Sequence, residues 1–460
     1  MHIAILGNGI SGSTAARFIR KLSTHRITMI SAESALPYSR TALMYIYMGH
    51  VPFQQTFLYS ESFYEKNNID RICARVDRID FEQQQLYFDP EFSSSSLAPP
   101  EPSLHYDVLI LATGSQPNKF GWPGQNLKRV HGLYSLQDLQ ALDKISPKID
   151  KAVIVGGGLI GVELAEMLHS RNKKVTMLVR ESSYWDNVLP PEESAMVNNE
   201  IREHGIELQL NTELKEIIGD NSDQCQSVIT GDGNEISCQF VGLTAGVHPN
   251  VDFLNNSPLD IEKGILVDTQ LKTNVPGVYA IGDCAQLKVP DKGRAAIEAV
   301  WYTGKMMGEI AAYNICGSEK NYHPGVWFNS AKFFNIEYQV YGQVPPIIEH
   351  PLKSFYWQDH ETKRSIRIVY HSESQKVVGF NVMGVRFRQE LCTQWIEKRQ
   401  DLKTVMENLP AAFFDPELYP EIKENIKDAF TQETGQNIEY KSQKGLRPFR
   451  NQIKKLLKLK

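Results

Sequence analysis

The chain has 460 residues, of which 42% are hydrophobic and 22% charged, with a formal net charge of −5. That balance excludes a disordered or fibrous protein and supplies apolar material for two or three domains. Positive charge collects in residues 441–460, with eight Lys or Arg and no acid, so the remainder is acidic and argues against a nucleic-acid-binding protein.

The first predicted element is a strand, His2-Ile3-Ala4-Ile5-Leu6. No charged leader or separate apolar segment precedes it, and no window approaches 18 uninterrupted apolar residues. We therefore expect a cytoplasmic protein without a membrane-spanning helix. The strand runs into Gly7-Asn8-Gly9-Ile10-Ser11-Gly12, then a helix through Thr14–Ile19, then a second strand, Ile27-Thr28-Met29-Ile30. A tight strand-to-helix turn needs Gly first. Close approach of a pyrophosphate needs Gly second, and helix–strand packing needs Gly third. Gly7, Gly9 and Gly12 fill these places, and the amides of Ile10 and Ser11 open the helix, where free N–H groups and the dipole favour phosphate. Glu33, 21 residues beyond Gly12, is placed to hold ribose hydroxyls. A glycine-rich turn is the bland alternative, and strand, helix and acid together outweigh it. This unit is read as the FAD site.

Ser93-Ser94-Ser95-Ser96-Leu97-Ala98-Pro99-Pro100 reads as a long hairpin tip in a strand-rich insertion. Val108-Leu109-Ile110-Leu111 is a buried strand. At Ala152–Glu166 the opening plan repeats: strand Ala152–Val155, then Gly156-Gly157-Gly158-Leu159-Ile160-Gly161, then a helix, then strand Val175–Val179. Gly156, Gly158 and Gly161 take the three glycine roles, and Leu159 and Ile160 open the helix. Glu181 lies 20 residues beyond Gly161, with Arg180 beside it. Glu favours a free ribose 2′-hydroxyl, as in NADH, and Arg accepts the 2′-phosphate of NADPH. The two signals conflict, with a slight lean to NADH.

A helix is expected around Ala295–Met307. Beyond residue 320 the pattern changes to strands near Lys353–Trp357, Arg364–Tyr370 and Lys376–Met383 and an amphipathic helix from Gln389 to Lys398, an α+β domain after an α/β core. In the tail, Phe449, Ile453, Leu456, Leu457 and Leu459 alternate with Arg450, Lys454, Lys455, Lys458 and Lys460.

With two βαβ glycine motifs at this separation, the sequence resembles the pyridine nucleotide–disulfide oxidoreductase superfamily. Two further stretches carry the resemblance. Tyr106–Ser115, with Ala112-Thr113-Gly114, looks like the family's crossing out of the FAD fold. Val275–Ala285, with Gly282-Asp283, looks like its second flavin motif. Val241–Gly246 resembles the return crossing. The resemblance covers residues 2–285 and implies two Rossmann-like dinucleotide-binding domains plus a C-terminal α+β interface domain. Residues 1–116 and 246–320 would form the FAD domain, 117–245 the NAD(P) domain, 321–440 the interface domain and 441–460 a basic tail. It further implies that Asp283 binds the ribityl and pyrophosphate side of FAD. The helix around Ala295–Met307 would point its N-terminus at the flavin's pyrimidine edge.

Disulfide reductases of the family carry a CxxxxC pair after the first ribose acid. Here Pro37-Tyr38-Ser39-Arg40-Thr41-Ala42-Leu43-Met44-Tyr45 occupies that segment and the first cysteine is Cys73. Electron relay through sulfur there is excluded. The six cysteines (Cys73, Cys225, Cys238, Cys284, Cys316 and Cys392) have neither disulfide nor metal spacing, and no metal site is expected. The segment resembles the cysteine-free branch of ferredoxin, rubredoxin and nitrite reductase flavin subunits. That resemblance places Arg40 near the flavin and FAD phosphates and Glu163 where the nicotinamide meets the flavin. Tyr45 stands where the branch carries a lysine near flavin N5, a departure that bears on the acceptor. Phe328, in Trp327–Ser330, falls where the branch sets an aromatic beside the isoalloxazine; a core aromatic is the competing reading for Phe328, and more strongly for Trp301.

The implied activity is hydride transfer from NADH or NADPH to FAD, then electron transfer to a ferredoxin- or rubredoxin-like carrier protein. Glu163, Arg40 and Tyr45 are the protein groups nearest the chemistry. The alternatives are a peripheral NADH:quinone reductase docking at the inner membrane face through residues 441–460, a non-catalytic flavin-bound interaction protein, and an oxygen-consuming oxidase. A frayed basic end is the plain reading of the tail. A homodimer is expected by analogy.

Overall fold

The structure, a computed structural model, describes residues 1–92, 97–415 and 420–441. It divides into two compact units: Met1–Trp185 with Ile201–Gly325, and Asp186–Glu200 with Val326–Lys460.

In the first unit the chain runs β1 (His2–Leu6), α1 (Ile10–Leu22), β2 (Arg26–Ser31), α2 (Leu43–Tyr47), β3 (Ile69–Cys73), β4 (Val108–Leu111), β5 (Ser115–Pro117), β6 (Val130–His131), α3 (Leu136–Ile145), β7 (Lys151–Val155), α4 (Leu159–Ser170) and β8 (Lys174–Leu178). Helix α5 (Pro191–Glu203) leads on to β9 (Glu207–Gln209), β10 (Phe240–Leu243), β11 (Val247–Pro249), β12 (Val278–Ala280) and α6 (Trp301–Ile315). Two five-stranded sheets result, ordered β12-β4-β1-β2-β3 and β9-β8-β7-β10-β6, with every neighbouring pair parallel. Their central strands read as continuous apolar runs because both faces of each sheet are covered: Val108–Leu111 and Phe240–Leu243 are buried at every residue. Strands β5 and β11 pair antiparallel, Ser115 opposite Pro249 and Pro117 opposite Val247, and form the crossing between the two folds. The expected strand-rich insertion is a three-stranded sheet of Val76–Asp80, Gln85–Phe88 and Ser103–His105. Ser93–Ser96 of its expected tip lie outside the described residues.

Helix α6 starts at Trp301, six residues later than the sequence pattern suggested. Arg294 donates two hydrogen bonds to Glu298 at 2.6 Å and one to the Gly325 carbonyl at 2.7 Å. Val300 is extended (φ −132°, ψ 139°), and the Thr303 hydroxyl folds back on the Glu298 and Val300 carbonyls. Side-chain bonds of this kind offer the backbone an alternative to the helix ladder.

The second unit holds an antiparallel sheet of β13 (Phe328–Phe333), β14 (Ile336–Gly342), β15 (Leu352–Asp359), β16 (Arg364–His371) and β17 (Val377–Met383), ordered β13-β14-β17-β16-β15. Helices α7 (Gln389–Glu397), α8 (Leu402–Asn408) and α9 (Pro420–Thr434) accompany it. Its core includes Phe355, Phe380, Trp395, Phe413 and Phe430. The start of α5 belongs to this unit. Glu193 is fully buried and accepts two 2.8 Å bonds from Arg367, which also donates to Glu192 at 2.6 Å. A buried arginine fork with both nitrogens paired is an arrangement in which loss of one partner is costly. Lys441 pairs with Glu407 at 2.8 Å; the rest of the basic tail lies outside the described residues. Among the described residues, no helix is long and apolar enough to cross a membrane.

Candidate active site

The first glycine turn is built as its spacing required. Gly7 has φ +111°, and a Cβ there would overlap the Ala112 carbonyl oxygen; one on Gly12 would overlap the Gly7 carbonyl oxygen. Gly9 is different: a Cβ would meet nothing within 4 Å. The backbone is therefore open to a ligand at Gly9. Ser13 N–H bonds the Gly9 carbonyl at 2.9 Å, so the amides of Ile10 and Ser11 lie ahead of the first helical bond and point their dipoles outward.

Residues distant in sequence converge on this turn. Gly282 (φ +74°) and Gly304 let α6 and the Gly282–Asp283 turn approach Ser11 closely; a Cβ on Gly304 would sit 2.6 Å from Ser11 Oγ. Asp283 accepts a 2.9 Å bond from Ser115 Oγ. Burial pushes the Asp283 carboxyl up, while the Ser115 bond and the Arg40 charge pull it back. Tyr134 OH accepts the Ser115 N–H at 2.9 Å, and the Arg40 guanidinium lies 4.4 Å over the Tyr134 ring. Arg40 in turn bonds Glu33 through two nitrogens, at 2.6 and 3.1 Å, and donates to the Tyr134 carbonyl. Burial opposes its charge, but Glu33 more than compensates and holds the guanidinium protonated. Glu33 also accepts from Tyr38 OH and, at 2.8 Å, from Leu136 N–H. Three donors thus occupy Oε1 and one occupies Oε2. A carboxylate has about four acceptor directions over its two oxygens, so Oε2 is the less occupied of the two. Thr113 and Gly114 sit at the crossing: Thr113 Oγ1 donates 2.8 Å to the Asn250 carbonyl, and Asn250 N–H bonds the Gly114 carbonyl at 2.9 Å.

The second turn copies the first. Gly156 has φ +124°, and a Cβ would stand 2.6 Å from the Thr244 carbonyl oxygen; one on Gly161 would stand 2.5 Å from that of Gly156; Gly158 is open. Leu159 and Ile160 begin α4. Arg180 donates 2.6 Å to Glu181, so the two residues with opposite implications for the 2′ position are joined as an ion pair. The side chain of Arg180 is 72% exposed, against 29% for Glu181. Gly246 has φ +87°, with the Asn118 amide 3.1 Å from a Cβ there. Glu163, the fifth residue of α4, has its carboxyl pushed up to about 7 by burial and by Glu166 one turn on. Helix α2, which carries Tyr45, packs against α3 and α4; the Tyr45 ring lies 6.2 Å from His50. Phe328 opens β13 in the second unit and stacks on Tyr341 at 5.2 Å. Trp301 begins α6, with Lys305 Nζ 5.4 Å from its ring.

The structure thus brings Gly7, Gly9, Ile10, Ser11, Gly12, Glu33, Arg40, Ala112, Thr113, Gly114, Gly282 and Asp283 into one connected set, and Gly156, Gly158, Leu159, Ile160, Gly161 and Glu163 into another. Sequence reasoning did not single out Tyr134 or Ser115. The Ser135–Asp138 capping box at the start of α3 was legible as a helix start, but nothing local signals that its Leu136 amide serves Glu33.

A family profile described as pyridine nucleotide-disulphide oxidoreductase matches residues 1–304. The chain belongs to that family. Each glycine turn is open at its middle glycine, and the family's cofactors are FAD and NAD(P)H. The chain is 30% identical over 312 residues to the biphenyl dioxygenase system ferredoxin–NAD(+) reductase component of Paraburkholderia xenovorans, covering 67% of this chain and 73% of that one. It is 27% identical over 319 residues to the assimilatory nitrate reductase electron transfer subunit of Bacillus subtilis, covering 69% of this chain and 39% of that one. The chain therefore spans well under half of some curated relatives and about three quarters of others. Among solved structures, a ferredoxin reductase from Rhodopseudomonas palustris superposes with TM-score 0.75 at 23% identity, covering 93% of this chain and 99% of that one. The reduced CoADR-RHD of Bacillus anthracis gives 0.80 at 20% identity, covering 94% of this chain and 81% of that one. At these identities the superpositions establish the fold. All six cysteines of this family member are free thiols, and Cys73, the first in the chain, is buried at the end of β3.

Proposed function

We propose that the chain is an FAD-dependent NAD(P)H oxidoreductase that passes electrons on to a carrier protein of the ferredoxin or rubredoxin type, without a cysteine relay. The observation that carries this reading is the pair of glycine turns, each open only at its middle glycine, set in two parallel-sheet folds joined by the β5–β11 crossing. Bound FAD would supply hydride acceptance and one-electron delivery. The residues supply placement. Ile10 and Ser11 amides and the α1 dipole hold one pyrophosphate, and Leu159 and Ile160 amides with the α4 dipole hold the other. Arg40 and Asp283 set the charge beside the first turn. Glu163 orients the nicotinamide by its position at the start of α4. Tyr45 replaces the branch's lysine, so positive charge near flavin N5 must come from elsewhere, and the α6 N-terminus is one source. The named activities of the ferredoxin and rubredoxin reductase relatives support the carrier-protein step.

The test is steady-state transfer: the FAD-loaded protein, NADH or NADPH, and a purified ferredoxin or rubredoxin with cytochrome c as the terminal indicator. Cytochrome reduction dependent on the carrier supports the reading; reduction of a soluble quinone with no carrier requirement favours the quinone reductase instead. A cytoplasmic location, contact of residues 441–460 with an anionic membrane face and a homodimer belong to the same proposal. The alternation of apolar and basic residues in the tail supports the membrane contact. Co-sedimentation with anionic liposomes, compared between the full chain and a 1–440 truncation, checks the tail, and light scattering checks the dimer.

A further inference from the structure

Tyr184 follows β8 in the segment that carries Arg180 and Glu181, and it is fully buried. Its hydroxyl donates a 2.7 Å hydrogen bond to the carbonyl oxygen of Gly158, 26 residues earlier. Gly158 is the open glycine of the second turn and the N-cap of α4, with φ −104° and ψ −179°. Its carbonyl also takes the Gly161 N–H at 3.0 Å and the Val162 N–H at 3.3 Å.

The geometry has a consequence for the next residue. The peptide joining Gly158 to Leu159 is planar and trans, so its C=O and N–H point in opposite directions. Holding the Gly158 carbonyl toward Tyr184 aims the Leu159 N–H the other way, out of the start of α4, where amides have no helical partner. Three consecutive glycines, Gly156-Gly157-Gly158, form the least restrained backbone available, and a side-chain tether from outside the turn removes that freedom. Burial pushes the Tyr184 hydroxyl well above the ordinary tyrosine range, with the Glu163 carboxyl adding to the rise. The group therefore donates throughout the working pH range.

We propose that Tyr184 is a positioning residue of the nicotinamide nucleotide site: by tethering the Gly158 carbonyl it fixes the Leu159 N–H toward the nucleotide's pyrophosphate and ties the phosphate-binding turn to the segment that reads the 2′ position. This rests on the reading that the second fold takes NAD(P)H. Tyr184→Phe removes one hydroxyl and keeps the ring in the core. The lost tether is a single neutral hydrogen bond, for which about a fivefold weakening of nucleotide binding is expected. In the full-length, FAD-loaded protein, the Kd for NAD+ and NADP+ by titration calorimetry and the KM for NADH and NADPH should rise about fivefold. Bound FAD per chain and the limiting rate of flavin reduction should stay within twofold of the parent. Unchanged Kd and KM overturn the proposal. A joint fall in FAD content, thermal stability and limiting rate also overturns it, because that pattern belongs to a core residue. If the parent itself binds neither NAD+ nor NADP+ and is reduced by neither NADH nor NADPH, the reading of the second fold fails and takes the proposal with it.

Discussion

Replacing Gly9 by alanine separates folding from cofactor binding. Gly9 has φ −62° and ψ −171°, a conformation any residue adopts, and a Cβ there meets nothing within 4 Å. The folded chain therefore accepts the methyl group, and the reduced freedom of the unfolded chain should leave stability unchanged or raise it by about 0.4–1 kcal/mol. The methyl projects where the pyrophosphate must approach. Displacing the phosphate from the Ile10 and Ser11 amides loses two charge-assisted hydrogen bonds of about 1.5 kcal/mol each, or roughly 100-fold in FAD affinity. The assay is FAD titration of the apoprotein by flavin fluorescence quenching, with thermal unfolding of the same samples. Gly12→Ala is the contrast: its Cβ would overlap the Gly7 carbonyl oxygen, so it should destabilise the apoprotein by more than about 2 kcal/mol. If Gly9→Ala binds FAD as the parent does, no phosphate approaches the backbone there. If Gly12→Ala is as stable as Gly9→Ala, the packing account of the turn is wrong.

Two further outcomes follow from the second turn. Glu163 has a folded pKa of about 7 against an ordinary 4.5, so the folded chain keeps a proton that the unfolded chain has lost between those values. Its contribution to stability is then lost as pH rises through that window. Thermal unfolding should show Glu163→Gln matching the parent near pH 4.5 and exceeding it increasingly up to pH 8; a constant difference across the range refutes the burial of this carboxyl. Arg180→Ala should lower kcat/KM for NADPH about tenfold, the loss of one charge-assisted contact, and change that for NADH less than twofold. Equal effects on both nucleotides would place Arg180 away from the 2′ position.

Much of this site was legible in the sequence because its signals are local. Gly7, Gly9 and Gly12, and again Gly156, Gly158 and Gly161, lie within six residues of one another, and the steric demand of a strand-to-helix turn fixes their spacing. Glu33 and Glu181 follow at a distance set by one helix and one strand. What could not be read is what the tertiary fold imposes. Arg40 meets the Tyr134 carbonyl 94 residues away, Ser115 meets Asp283 across 168 residues, and Tyr184 reaches Gly158 only because β7 and β8 are neighbours. The late start of α6 depends on the Arg294–Glu298 clip, whose i,i+4 spacing equally suits a helix. The attachment of the start of α5 to the second unit depends on Glu193 meeting Arg367, 174 residues on, and no local pattern distinguishes that glutamate from a solvated one.

The central claim is that NAD(P)H bound at the second turn reduces FAD bound at the first. Anaerobic stopped-flow absorbance of the FAD-loaded protein mixed separately with NADH and NADPH measures it directly. Rapid, saturable bleaching of the oxidised flavin band by at least one of the two is the expected result. Stable flavin binding with no reduction by either nucleotide would contradict the account and leave a flavin-bound interaction protein in its place.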